Sequence, residues 1–251
     1  MKKLIVIADW AKDPVYLQSL RTIVEGFIEN PQRIRLESVP VTSSSRHAAF
    51  VLQHISQQEE ELGVPLETII LQDISITHDF DSLYVLRLKS GLMILSTNIE
   101  YSLSMVKQNV DVIQQYSNIE QKQFTSPLAL LGRAASLFLD YKEDDLELDE
   151  AHTGLIQEVQ NHFVGHIDSF GNIITTLTHE DLRGKYSFSD EVTFHIGSTK
   201  TISAQYLKEY RESESPILIE SLFGLPHSRY LMVVGDFIHK IHPGDTLSID
   251  T

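Results

Sequence analysis

A chain of 251 residues with 42% hydrophobic side chains has material for one large core or two smaller ones, and it needs no covalent staples to fold. Its 35 acidic against 20 basic side chains give a formal charge of -15 with no basic cluster, which repels a phosphate backbone and argues against a nucleic-acid partner. The lack of cysteine excludes disulfides and thiolate metal sites, and no apolar run approaches the ~18 residues of a membrane span.

The opening "MKKLIVIADW" carries a five-residue apolar run before Asp9, too short for a secretory signal, so the expected location is cytoplasmic. "KLIVIAD" reads as a buried strand. "VYLQSLRTIVEGFIEN" has apolar residues at helical spacing and meets Pro31, and "RIRLESVPV" is again extended. "SSSRHAAFVLQHISQQEEELG" opens on serine capping candidates and stops at Gly63, and "LETIILQDIS" is a third strand. Strand, helix, strand, helix, strand predicts a parallel sheet covered by helices. "LYVLRLKSGLMILSTN" reads as a hairpin turning at Lys89, Ser90 and Gly91, and "SPLALLGRAASLFLDY" as a further helix.

"KEDDLELDE" is the expected joint, with an α/β domain over 1–141, a linker over 142–153 and a second domain over 154–251. Beyond it the pattern is all-β. "FVGHID", "NIITTL", "EVTFHIG", "KTISAQY", "PILIESL", "RYLMVVGDF" and "DTLSID" are short strands between Gly, Pro, Ser and Asp turns, as in a small barrel or sandwich.

The common chemical motifs are missing: there is no glycine-rich phosphate loop, no nucleophile elbow and no metalloprotease helix. His162 and His166 stand four apart, but on a strand pattern with no acid between them, so no metal site is expected. Polar residues at strand ends carry more. In parallel α/β sheets ligands collect at the carboxyl ends of strands, and Asp9, Asp73 and Asn98 follow "LIVIA", "IILQ" and "LMILST". Each alone is accounted for as a cap or turn former; three in one sheet point to a pocket.

The stretch "IDSFGNIITTL" places Asp168, Ser169, Phe170, Gly171 and Asn172 directly ahead of a strand. Together with "ADW" at Asp9, "RHAAFVL" from Arg46 to Leu52, "SRYLMVVGDF" and "PGDTL", it resembles the S-adenosylmethionine hydroxide adenosyltransferases, relatives of the bacterial fluorinases and chlorinases. The resemblance runs along almost the whole chain. It implies an N-terminal α/β domain with a mainly parallel sheet, a smaller all-β C-terminal barrel domain, and a homotrimer with its ligand between the N-domain of one subunit and the C-domain of the next. It further implies that Asp9 grips the ribose hydroxyls, that Asp168 and Asn172 hold the ligand with Ser169 and Phe170 beside them, and that the backbone at Val234 and Gly235 meets adenine. S-adenosylmethionine is then ligand or substrate, with no separate cofactor and no metal. The other reading of the motif is a tight turn formed by Asp168 and Asn172.

The sequence departs from the family where water would be activated. Asp73 matches the family's acid, but "ISITHDFDSL" replaces the loop and arginines that normally follow it. Thr125 stands where the family has its histidine, and Ser126, Pro127 and Leu128 where it has a glycine, an arginine and an acid. His78 and Asp79 are the candidate replacements, and Arg87 follows on the next strand. Attack on a ribose carbon beside a sulfonium expels a neutral thioether, so such a site has mainly to orient and activate water. Two function classes follow: an S-adenosylmethionine hydrolase with a rearranged water site, or a non-catalytic adenosine or S-adenosylmethionine sensor or interaction module.

Overall fold

The computed structural model describes residues 1–74, 82–116, 126–221, 229–237 and 241–250. The chain divides into two compact units, Met1–Glu158 and Val159–Thr251, each built on a seven-stranded sheet.

In the first unit the elements follow one another as β1 (Lys2–Ala8), α1 (Pro14–Phe27), β2 (Ile34–Pro40), α2 (Ser45–Glu61), β3 (Thr68–Asp73), β4 (Leu83–Leu88), β5 (Met93–Ser96), β6 (Val110–Tyr116), α3 (Pro127–Leu139) and β7 (Asp149–Glu150). The sheet order is β2-β1-β3-β5-β4-β6-β7. β2, β1, β3 and β5 run parallel, while β4 is antiparallel to both β5 and β6, and β7 to β6. The β4–β5 hairpin turns where expected, with Gly91 at φ +87° donating to the Leu88 carbonyl at 2.8 Å.

β1 is apolar without alternation because both faces of the sheet are covered. Leu4 and Val6 enter the core formed with α1 and α3, and Ile5 and Ile7 the core formed with α2. Helix starts follow local chemistry. Asp13 accepts from the Val15 and Tyr16 amides ahead of α1, Ser44 from His47 ahead of α2, and Ser126 from Ala129 ahead of α3, with Pro14 and Pro127 in the first turns. Gly63 ends the α2 segment where a Cβ would lie 2.6 Å from the Glu59 carboxylate and 3.0 Å from its Cα.

The segment expected as a linker contains a short 3₁₀ turn at Glu143–Asp145 and strand β7, which pairs with β6 through Gln114 and Gln115. The division into units falls after Glu158.

The second unit contains β8 (Val164–Ile167), β9 (Ile173–Thr175), α4 (His179–Leu182), β10 (Glu191–Ile196), β11 (Lys200–Tyr206), β12 (Ile217–Glu220), β13 (Leu231–Val234) and β14 (Leu247–Ile249), in sheet order β14-β10-β11-β12-β13-β9-β8. Its two ends meet: Val164 donates to the Asp245 carbonyl at 2.9 Å, Gly244 to Val164 at 2.7 Å and Leu247 to His162 at 2.8 Å, so the sheet nearly closes into a barrel. Val192, Phe194 and Ile196 alternate inward along β10.

Candidate functional site

The parallel register decides what shares the carboxyl edge of the first sheet. Ala8 lies beside Asp73 and Gln72 beside Ser96, so Asp9, Asp73, Thr97 and Asn98 emerge at one level. The three strand-end candidates are therefore neighbours. The Trp10 indole donates to Asp73 Oδ2 at 2.6 Å, and the Thr97 hydroxyl donates to Asp73 Oδ1. Asn98 Oδ1 accepts from the Ile74 amide at 2.9 Å, tying the end of β5 to the end of β3, and lies 3.1 Å from the Thr97 hydroxyl oxygen. Asp9 Oδ2 accepts from the Ser43 hydroxyl at 2.7 Å, which adds the loop between β2 and α2 to the same edge.

Beneath this edge the polar groups are paired internally. Gln72 is fully buried; its amide donates to the Ser102 carbonyl at 3.1 Å and its oxygen accepts from Ser96 at 3.2 Å. Pairing of this kind is needed, because an unsatisfied amide in such a place costs roughly 1–3 kcal/mol. The cluster is thus a braced edge with one partly exposed carboxylate, Asp9, over a buried one, Asp73, which is 2% exposed. Burial pushes the Asp73 carboxyl above its ordinary value. The hydrogen bonds from Thr97 and Trp10 pull the other way, and the nearby Asp9 charge adds to the rise.

No local sequence signal marks Ser43 or Thr97 for this edge, or the Trp10 indole for Asp73. Only the strand register brings them there, across 34, 24 and 63 positions.

The positions at which the sequence departs from the family it resembles have local work. Ser126, Pro127 and Leu128 form the start of α3: the serine is its cap, the proline its first residue, and the leucine is buried. Arg87 faces outward from β4 and pairs with Asp111 at 3.3 Å, away from the core. His78, Asp79 and Thr125 lie outside the described residues.

In the second unit the 168–172 motif is a closed turn between β8 and β9. Asp168 Oδ1 accepts from the amides of Phe170 at 2.9 Å and Asn172 at 3.0 Å, and Asp168 Oδ2 accepts from the Asn172 carboxamide at 2.8 Å. Asn172 Oδ1 in turn accepts from the Gly235 amide at 3.0 Å, which fastens the turn to the end of β13. Gly171 sits at φ +88°, and a Cβ there would come within 3.0 Å of Asp236 Cα and the Phe237 amide nitrogen. That close approach is why glycine is required. Val234 is the last residue of β13 and pairs with Ile217. Ser169 and Phe170 stand at the tip, Phe170 81% exposed.

His166 is pushed below its ordinary pKa by burial, opposed by Asp168. His162 faces the Thr176 carbonyl at 3.3 Å and Asp181 at 3.6 Å. Among the described residues no group of three or more His, Asp or Glu is placed to hold a metal ion, and no helix is long and apolar enough to cross a membrane.

No protein-family model and no curated protein matches the chain. Among solved structures it is similar to an uncharacterized conserved protein from Thermotoga maritima, with a TM-score of 0.69 and 17% identity over 98% of this chain and all of that one. It is also similar to a conserved hypothetical protein from Thermus thermophilus, with a TM-score of 0.64 and 12% identity over the full length of both. At these identities the likeness establishes the fold alone.

Proposed function

We propose that this protein binds adenosine or S-adenosylmethionine and hydrolyses the latter slowly or not at all. The observation that carries the reading is the convergence of Asp9, Asp73 and Asn98 at the carboxyl edge of the parallel sheet, with Asp9 as the outer carboxylate. A carboxylate in that position can accept from both vicinal hydroxyls of a ribose, the role the resemblance gives to Asp9.

Asp73 supports binding over turnover. It is buried and accepts from Trp10 and Thr97, one bond on each oxygen, which supports a bracing role over contact with an attacking water. Asp168 and Asn172 support the reading less directly. Their side chains hold their own turn, and the ligand role assigned to them passes to what that turn presents at its tip, Ser169 and Phe170. The large exposed ring of Phe170 is also consistent with the homotrimer that the resemblance implies, since an aromatic on a rigid turn is a natural contact for a second copy. The β-barrel fold of the second unit and a cytoplasmic location complete the proposal.

Calorimetric titration of the full chain with adenosine and with S-adenosylmethionine, followed by chromatography of the incubated mixture, tests it. Saturable binding with little adenosine released is the expected outcome. Lack of binding by either ligand overturns the proposal, and rapid release of adenosine replaces it with the hydrolase, whose base would then be sought at His78 or Asp79.

A further inference from the structure

A chain of hydrogen bonds in the second unit joins four side chains from distant positions and ends at an open cleft. Glu220, the last residue of β12, accepts from Arg229 on Oε1 and lies 3.1 Å from His179 Nε2 through Oε2. The other ring nitrogen, His179 Nδ1, is hydrogen-bonded to the Tyr206 hydroxyl. In the neutral imidazole only one nitrogen carries a proton. If Nε2–H is donated to the Glu220 carboxylate, Nδ1 is an acceptor and the phenol is its donor. The Tyr206 proton is then committed to His179, and the phenol oxygen has only lone pairs left to offer.

Burial, with the Glu220 carboxylate nearby, raises the pKa of that phenol and keeps it protonated. Arg229, and to a lesser degree His179, holds Glu220 below its ordinary value, so the carboxylate end of the chain stays charged.

The Phe188 ring packs on Tyr206 with centroids 4.8 Å apart, and on His179 at 6.3 Å. Tyr206 is 5% exposed, whereas Phe188 is left 50% exposed. Both rings line a cleft of about 370 Å³ together with His179, Tyr186 and Ser187, and the Glu180–Arg183 pair stands at its rim. That volume falls in the range of small-molecule sites, roughly 300–1,000 Å³. Core packing accounts for Tyr206. It does not account for a large aromatic left half open beside a cleft that Tyr206 and His179 also line.

We propose that this cleft is a second ligand site, separate from the strand-end cluster, and that it takes a flat aromatic amine. The ring would lie on Phe188, and the amine would donate to the Tyr206 oxygen and the Glu180 carboxylate. Aromatic faces attract cations, and the chain's net charge of -15 favours the approach of one. Glu180 can turn to such a ligand at little cost, because its bond to Arg183 at 3.1 Å joins side chains that are 77% and 75% exposed.

Tryptamine and indole-3-acetate share a ring and carry opposite charges, and titrating each into the full chain by NMR tests the proposal. Saturable tryptamine binding is expected, with indole-3-acetate at least about tenfold weaker. Phe188→Ala should weaken tryptamine by about tenfold or more, and Tyr206→Phe, which keeps the ring and removes the acceptor, by about tenfold. Adenosine binding should be unchanged in Phe188→Ala, which keeps this site's failure distinct from that of the strand-end site. The proposal falls if tryptamine shows no saturable binding at about millimolar concentration, if both probes bind alike, or if Phe188→Ala binds tryptamine as the wild type does.

Discussion

The two regions singled out by acids and amides use them in opposite ways. At 168–172 the acid and the amide serve their own backbone: Asp168 gathers the amides of residues two and four positions on, and Asn172 clasps Gly235. At the edge of the first sheet the partners come from far along the chain, with Trp10 and Thr97 on Asp73 and Ser43 on Asp9. A polar cluster of neighbours in sequence is first a way to build a turn. A cluster assembled across parallel strands has no such local use, and is the better candidate for meeting a ligand.

Substitutions can break this contrast. The largest effect is expected from Gly171→Ala, which forces a side chain into positive φ and against the backbone of Asp236 and Phe237. Left-handed strain plus overpacking sums to about 2–5 kcal/mol, readable in a denaturant melt. A loss under about 1 kcal/mol would show that the turn relaxes and is not rigidly closed.

Next is Asp168→Ala, which removes the acceptor for two amides and a carboxamide and should cost about 1.5–3 kcal/mol of stability. Asp9→Ala, by contrast, should cost less stability than Asp168→Ala, since Asp9 is partly exposed and its bond to Ser43 is exposed. It should weaken adenosine by roughly ten- to hundredfold in calorimetry. If Asp9→Ala unfolds the chain and Asp168→Ala only weakens the ligand, the two regions have been assigned the wrong way round.

The smallest effect concerns pH. Because burial raises the folded-state pKa of Asp73, the folded chain keeps a proton over a range in which the unfolded chain has lost it. Stability therefore falls as pH rises through that window, with a slope of at most about 1.4 kcal/mol per pH unit. Melts from the ordinary carboxylate range upward should show the wild type losing stability relative to Asp73→Asn. A constant difference would mean that Trp10 and Thr97 fully compensate the burial.

Much of the fold was legible in the sequence. The β4–β5 hairpin followed from "KSG", and each expected strand of the second unit corresponds to an observed one. Strand β6, "VDVIQQY", was not read. Its polar residues hide the alternation, and pairing with β4 is what makes it extended. Of the candidate site, Asp9, Asp73 and Asn98 were legible because each ends an apolar run, whereas their partners were not.

Periodicity, turn residues and caps are local, because they rest on the φ/ψ preferences of a few consecutive residues and on the side of the element each side chain faces. The sequence alone therefore determined where most of the elements lie, β6 and β7 being among the exceptions, and which of their faces are apolar. The tertiary structure alone decided which polar groups far apart in the chain meet. His179 reaches Tyr206 and Glu220 across 27 and 41 positions, and Trp10 reaches Asp73 across 63. Strand order and register set those meetings, and they are settled by the burial of whole apolar faces, which no short stretch of chain encodes.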